Sequence, residues 1–201
     1  MADYERLALP LGEAIFTQRA IRRVKPDAIS DADLRLILEA AGRAPSATNR
    51  QPWHFIVIKD PALKAQMQAY YEEAWWDRRH AAGIHRVEDV PERDHPSLRL
   101  TREIGQAPVL VLTCQLEGGL ANEVLAAVQN LLLAARGLGI GGSITWLGPS
   151  VESRVRQTFA IPDSAQIAHL VQMGYPQGGF GPAQRKALPD ICSLDRWGTP
   201  A

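Results

Sequence analysis

Apolar positions along this chain recur at two spacings. Over 31–41, Leu34, Ile37, Leu38 and Ala41 repeat every three or four residues, the spacing of one helical face. Ser30 stands where an N-cap belongs, with Asp33 three residues on as a weak capping box, and Gly42 and Pro45 stop the helix. The run "WHFIVIK" over 53–59 is different: short, rich in β-branched residues and bounded by Pro52 and Pro61, it reads as a buried strand. "PVLVLTC" (108–114), "SITWL" (143–147) and "AQIAHLVQMG" (165–174) read as three more strands. Further helices are predicted over 12–18, over 61–82, over 97–105, and from a cap at Ser150 to about Phe159. The polar stretch 83–96, with Pro91 and Pro96, reads as a loop or lid.

The longest helix is predicted over 120–136. Val124, Leu125, Val128, Leu131, Leu132 and Ala135 form its main apolar face, and Ala126, Ala127 and Leu133 extend that surface most of the way round. Such a helix expects burial on nearly all sides. Strands and helices around it suggest a layered sandwich, and because they do not alternate strictly the fold class is α+β. The 201 residues suit one domain, 1–201, without internal repeats. The stretch 175–201, rich in Gly and Pro and without periodicity, is long for a structureless end, and another subunit is a natural thing to hold it.

Charge adds little at large scale. Lys plus Arg and Asp plus Glu number 22 each, so nothing suggests broad attraction to nucleic acid or to a membrane. No run approaches the length of a membrane helix, and the first residues lack the apolar core of a leader. Two cysteines, Cys114 and Cys192, make no disulfide framework, which fits a reducing, cytoplasmic setting.

Three local constellations change the picture. "GLGIGG" satisfies G-x-G-x-x-G through Gly137, Gly139 and Gly142, but it closes a helix and opens a strand, the reverse of the dinucleotide-binding order. It reads instead as a glycine-rich helix stop, or as backbone that a planar ligand approaches closely. In "RAIRRVK", Arg19 and Arg22 sit three apart and suit bidentate contacts to a phosphate; a solvated basic face is the plainer reading of the same residues. Arg185 and Lys186 form a similar pair. In "APSATNRQPW", Ser46, Thr48, Asn49 and Gln51 supply donors and acceptors of both kinds, which suits a ring edged by carbonyls and N–H groups, or an ordinary turn before a strand.

No nucleophile elbow, zinc-protease motif or P-loop is present. His80, His85, Asp94 and His95 match no metal-ligand spacing, so no metal is expected. His54 and His169 read as packed, hydrogen-bonded histidines. Trp75 and Trp76 are adjacent on a helix and face different ways, so one of them suits a lid over an aromatic substrate.

Taken in order, "QRAIRRVK", "APSATNRQPWHFIVI", "APVLVLT", "GLGIGGSITWLGPS", "IAHLVQMGYP" and "RKALPD" resemble the FMN-dependent nitroreductase family along nearly the whole chain. The resemblance implies an α-β-α sandwich with a mixed, largely antiparallel sheet, forming an intertwined homodimer with FMN in two interface sites. It implies that Pro45, Ser46, Ala47 and Asn49, with Gln51 nearby, reach a flavin bound mainly by the other subunit. Arg19, Ala20 and Arg22 match a phosphate-holding Arg-Ser-x-Arg in which Ala20 replaces the serine, so only a backbone contact survives there. Arg185, with Lys186, matches the basic residues on the same phosphate. Gly141, Gly142, Ser143 and Ile144 fall where the family runs backbone past the flavin, and Arg102 aligns weakly with a basic residue on the ring. Tyr71, Trp75 and Trp76, in a lid segment of about 70–100, would meet the substrate, and 175–201 would form a C-terminal arm.

The implied reaction is hydride transfer from NADH or NADPH through FMN to nitroaromatics, quinones or similar planar acceptors, with no side-chain acid or base required. Dehalogenation or flavin breakdown on the same fold, and a non-catalytic flavin-binding module, are the competing readings.

Overall fold

All four apolar runs fall on strands of one sheet, but the third strand begins two residues earlier than expected and leaves out Trp146 and Leu147. A computed structural model describes residues 3–119 and 122–200. The strands are β1 (Trp53–Ile58), β2 (Val109–Gln115), β3 (Gly141–Thr145) and β4 (Gln166–Gly174); the helices are α1 (Leu11–Thr17), α2 (Asp31–Ala41), α3 (Pro61–His80), α4 (His95–Glu103), α5 (Glu123–Gly137) and α6 (Glu152–Phe159). The sheet order is β1-β2-β4-β3, and every strand pair is antiparallel. The one parallel element among the described residues is a bridge from Ala20 to Gly142, which lays the N-terminal arm along β3.

Both faces of the sheet are covered, which is why its strands read as continuous apolar runs. Side chains alternate across the pleat. Leu110 and Leu112 of β2 pack with Met67, Tyr71 and Trp75 of α3, Leu98 of α4 and Val155 of α6. Val109 and Val111 face the other way, toward Ile37 of α2 and Val128 and Leu131 of α5. The result is an α-β-α sandwich. A bulge interrupts the β2–β4 register beside Thr113, whose Oγ1 accepts from the His169 N–H at 3.0 Å and donates to its carbonyl at 3.2 Å.

Local signals set most boundaries. Ser30 Oγ accepts from the Asp33 N–H at 3.0 Å and donates to the Asp33 carboxylate, a cap worth about 1 kcal/mol. Asp60 caps α3 in the same way through the Leu63 N–H. Ser150 does not cap α6. It lies inside a 3-10 turn, Pro149–Val151, that leads into the helix, and it makes no capping bond. The stretch 83–96 holds two further 3-10 turns. The predicted start of the long helix at 120–121 lies outside the described residues. Beyond it, α5 buries Val124, Ala127, Val128, Leu131 and Ala135, but Leu125 is 41% exposed, so this helix keeps one face open.

The glycines after α5 have separate reasons. Gly139 adopts a left-handed φ of 72° and makes the turn into β3. Gly141 and Gly142 are required by packing: a Cβ would stand 2.7 Å from Ile21 in the first and 2.9 Å from the Gln172 carbonyl in the second.

Candidate functional site

The N-terminal arm is tied to the sheet edge by hydrogen bonds. The Ile21 N–H donates to the Gly142 carbonyl at 2.9 Å, and the buried Gln172 Nε2 donates to the Ile21 carbonyl at 3.0 Å. Further along, the Lys25 N–H reaches the Tyr175 carbonyl, the Gln177 N–H reaches the Arg23 carbonyl, and the Gln177 side chain reaches the Val24 carbonyl. This backbone displays Arg19, Arg22 and Arg23 on one wall of an open cleft of about 690 Å3, with His95, Arg99 and Glu103 of α4 on the other. None of these four arginines makes an ion pair within the described chain.

The edge of β3 continues that wall. In an antiparallel strand a residue's N–H and C=O point to the same side, and successive residues alternate. Gly142 gives its carbonyl to the arm, so Gly141 and Ser143 turn toward β4 and Ile144 turns outward, one step past the bridge. Of the four positions singled out in the sequence, Ile144 therefore turns its backbone donor and acceptor to the open edge, with no partner among the described residues. The Ser143 Oγ is buried and has no hydrogen-bond partner among the described residues. Gln172, which fixes the arm, was not singled out in the sequence, although it is the polar residue inside the buried half of β4.

The Pro45–Gln51 loop is preformed by different means. Thr48, Asn49 and Gln51 hold left-handed φ values of 52°, 57° and 52°. Such conformations in non-glycine residues cost energy and persist where neighbours enforce them. Here the Ser46 hydroxyl accepts from the Gln51 N–H at 2.9 Å, and Gln51 Nε2 donates to Asn49 Oδ1 at 3.2 Å. Glu123, at the start of α5, accepts from the Ala47 N–H at 2.6 Å. Ser46 and the Ala47 N–H are thus committed inside the loop, while Pro45, Asn49 and Gln51 are exposed.

These two groups do not meet. The loop enters β1 at Trp53, which pairs with Gln115 and through it with Gln166; Gly142 pairs with Met173 and through it with Val109. They stand at diagonal corners of a four-strand sheet, about 25 Å apart from strand spacing and rise. Arg185 and Lys186 are exposed, and the cleft lining stops at Gly179. Arg102 is likewise exposed and off the cleft.

The lid expectation needs correction. Tyr71 and Trp75 are each 2% exposed and belong to the core under α3. Trp75 donates its indole N–H to Ser97 at 3.1 Å, and Tyr71 shares a 2.9 Å hydrogen bond with Thr145. Burial pushes the Tyr71 phenol above its ordinary range. Trp76 alone of the three is partly exposed, packed edge-on to Trp75 and stacked with His80, which stacks on His85. His54 is exposed on β1, whereas His169 is half-buried with its Nδ1 unpartnered.

The C-terminal stretch leaves the domain from a fixed point. Arg136 of α5 donates to Thr17 at 2.9 Å, pairs with Glu13 at 3.0 Å, and lies 4.2 Å over the Phe180 ring. Beyond it, every described residue from 184 to 200 is exposed, including the apolar Leu188, Ile191, Leu194 and Trp197.

Comparison with known proteins agrees with this architecture. The profile of the family described as "Nitroreductase family" matches residues 15–175. An "NADH dehydrogenase" of Thermus thermophilus is 35% identical over 198 residues, covering 89% of this chain and 92% of that protein. Iodotyrosine deiodinase 1 of Rattus norvegicus is 25% identical over 198 residues, covering 89% of this chain and 67% of its own length. Among solved structures, the FMN-dependent nitroreductase NfnB from Mycobacterium smegmatis, in complex with NADPH, superposes with a TM-score of 0.72 at 20% identity, covering 96% of this chain and all of that one (100%).

Proposed function

The chain belongs to the nitroreductase family, and from that premise we propose that it is an FMN-dependent NAD(P)H oxidoreductase reducing planar, electron-poor acceptors, with each flavin shared by two copies of the chain. The observation that carries this reading is the pair of half-sites at opposite corners of one sheet. A cleft with unpaired guanidiniums suits the dianionic phosphate of FMN, and a preformed polar loop suits the edge of its ring, yet one chain cannot bring both to one flavin. A two-fold axis does, by setting the arm corner of one copy against the loop corner of the other.

The residues fit the cofactor. Arg19 and Arg22 would hold the phosphate, each charge-assisted bond contributing roughly 1.5–3 kcal/mol. Arg185 and Lys186 would join them once the exposed arm is seated. Ile144 offers an outward N–H to the ring, and Asn49 and Gln51 of the partner would meet its far edge. When bound, FMN supplies the hydride chemistry, taking two electrons from NADH or NADPH and passing them to the acceptor. The protein's part is to fix the phosphate, orient the ring against β3 and shut out water. Exposed Leu11, Ile15 and Phe16 on α1 and Leu125 on α5 supply apolar surface for a second copy.

The test is an absorption spectrum of the purified protein with its mass in solution, followed by anaerobic addition of NADH or NADPH. A yellow dimer bleached by either nucleotide is expected. A colourless monomer that ignores added FMN would overturn the reading, and a yellow protein bleached by neither would leave only a flavin-binding module. Dehalogenation stays a second reading because of the deiodinase relative; iodide release from an iodinated phenol is its assay.

A further inference from the structure

Where β3 ends, the chain continues into Trp146, a large aromatic residue left 51% exposed. The guanidinium of Arg78, from the last turn of α3, lies over the indole 5.1 Å from the ring centroid. Gly148 makes room for it: a Cβ there would stand 3.2 Å from Arg78 Nη1 and 3.3 Å from the Ala74 side chain. The Nη1 is buried and has no hydrogen-bond partner, although Arg78 as a whole keeps part of its surface in solvent.

Among the described residues no carboxylate forms an ion pair with this cation. Asp94 is taken by Arg79 at 3.1 Å, and Glu152 is taken by Arg156 at 2.8 Å. Asp77 is near enough to favour the charge but makes no ion pair with Arg78. The neighbouring Arg79 opposes its charge. Nη1 faces Gly148 and Ala74 and is closed to a ligand, so an anion would meet this guanidinium at the part left in solvent, where its charge has no paired carboxylate among the described residues.

We propose that Trp146 and Arg78 form an acceptor subsite selecting planar aromatic substrates that carry a carboxylate or similar acidic group. This rests on the reading that the flavin lies along β3, since Trp146 is the next residue beyond that strand. The exposed indole stacks the substrate ring, and the guanidinium draws its anionic substituent. Trp146 and Arg78 thus sort acceptors by charge, a task separate from holding the cofactor, which falls to Arg19 and Arg22.

The experiment compares kcat/KM of the purified holoenzyme for para-nitrobenzoate and para-nitrobenzyl alcohol, acceptors matched in ring and differing in charge. The wild type is expected to favour the anion about tenfold or more, the equivalent of one charge-assisted contact, and to lose part of that preference at high salt. Arg78→Gln should bring the ratio near unity and Arg78→Lys should keep part of it. Trp146→Ala should raise KM for both acceptors, and Trp146→Phe should restore it. A wild type indifferent to charge overturns the proposal, as does an Arg78→Gln enzyme that slows on both acceptors equally. If Arg78→Gln does not fold, the wild-type ratio and its salt dependence decide. Flavin colour separates the two levels: a colourless wild type defeats the cofactor reading, whereas a yellow enzyme blind to charge defeats this one alone.

Discussion

The two corners of the sheet are built by opposite means. At the arm corner, hydrogen bonds to β3, to Gln172 and to residues 175–177 hold a chain in ordinary extended geometry, and the arginines it carries are left free. At the loop corner, three non-glycine residues sit in left-handed conformations, held by the loop's own side chains and by Glu123. The first corner invests in pairing and presents charge; the second invests in strain and presents neutral polar groups. Such a division suits a ligand with an anionic tail and a polar ring, because each end needs a different kind of order fixed beforehand.

The sharpest way to break this comparison is to remove the charge. Arg19→Ala combined with Arg185→Ala should weaken FMN binding by roughly a thousandfold, two charge-assisted contacts, while Trp76→Phe changes it little. Flavin fluorescence titration measures this, and full occupancy in the double variant would count against the assignment. Mixing comes next. An Arg19→Ala/Arg22→Ala chain and a Ser46→Ala/Asn49→Ala chain, each poor in FMN alone, should regain about a quarter of wild-type occupancy after co-refolding, because half of the random dimers carry one intact site. No recovery would mean that each site lies within one chain.

Smaller effects sharpen the contrast in stability. Gln172→Leu strands the buried Ile21 carbonyl at a cost of about 1–3 kcal/mol, which should lower Tm by roughly 2–10 °C and loosen the arm. Thr48→Gly relieves a left-handed β-branched residue and should gain about 1 kcal/mol or less in chemical denaturation. The same glycine at Thr145, on the strand side, should gain nothing.

The smallest expected effect concerns His169. Burial lowers its pKa below the ordinary 6.5. The unfolded chain then binds the proton more readily, so this contribution to stability is complete above pH 6.5 and fades as pH falls toward the folded value. His169→Gln should flatten that part of the acid limb of a Tm–pH curve.

Much of this was legible in the sequence, for physical reasons. The strands read clearly because helices cover both faces of the sheet, and α2 read clearly because Ser30 and Asp33 are a local device. Tyr71 and Trp75 misled because a residue's place on a helix does not say which face meets the core. Ser150 misled because a 3-10 turn comes before α6 and takes the capping position away. The strain at Thr48 and Gln51 has no sequence signature, since neither residue favours left-handed backbone, and the bond that pins Ala47 comes from Glu123, distant in the chain. Gln172 carried the clearest unread signal: a side-chain amide in the buried half of a strand needs a buried partner, and that partner is the arm.

The clamp at Arg136 has a consequence for the protein's lifetime. Past the Arg136–Phe180 contact, residues 184–200 of a lone copy trail exposed from a fixed swivel, the kind of segment that proteases nick first. Under the two-copy reading, finding a mate is what removes that segment from attack.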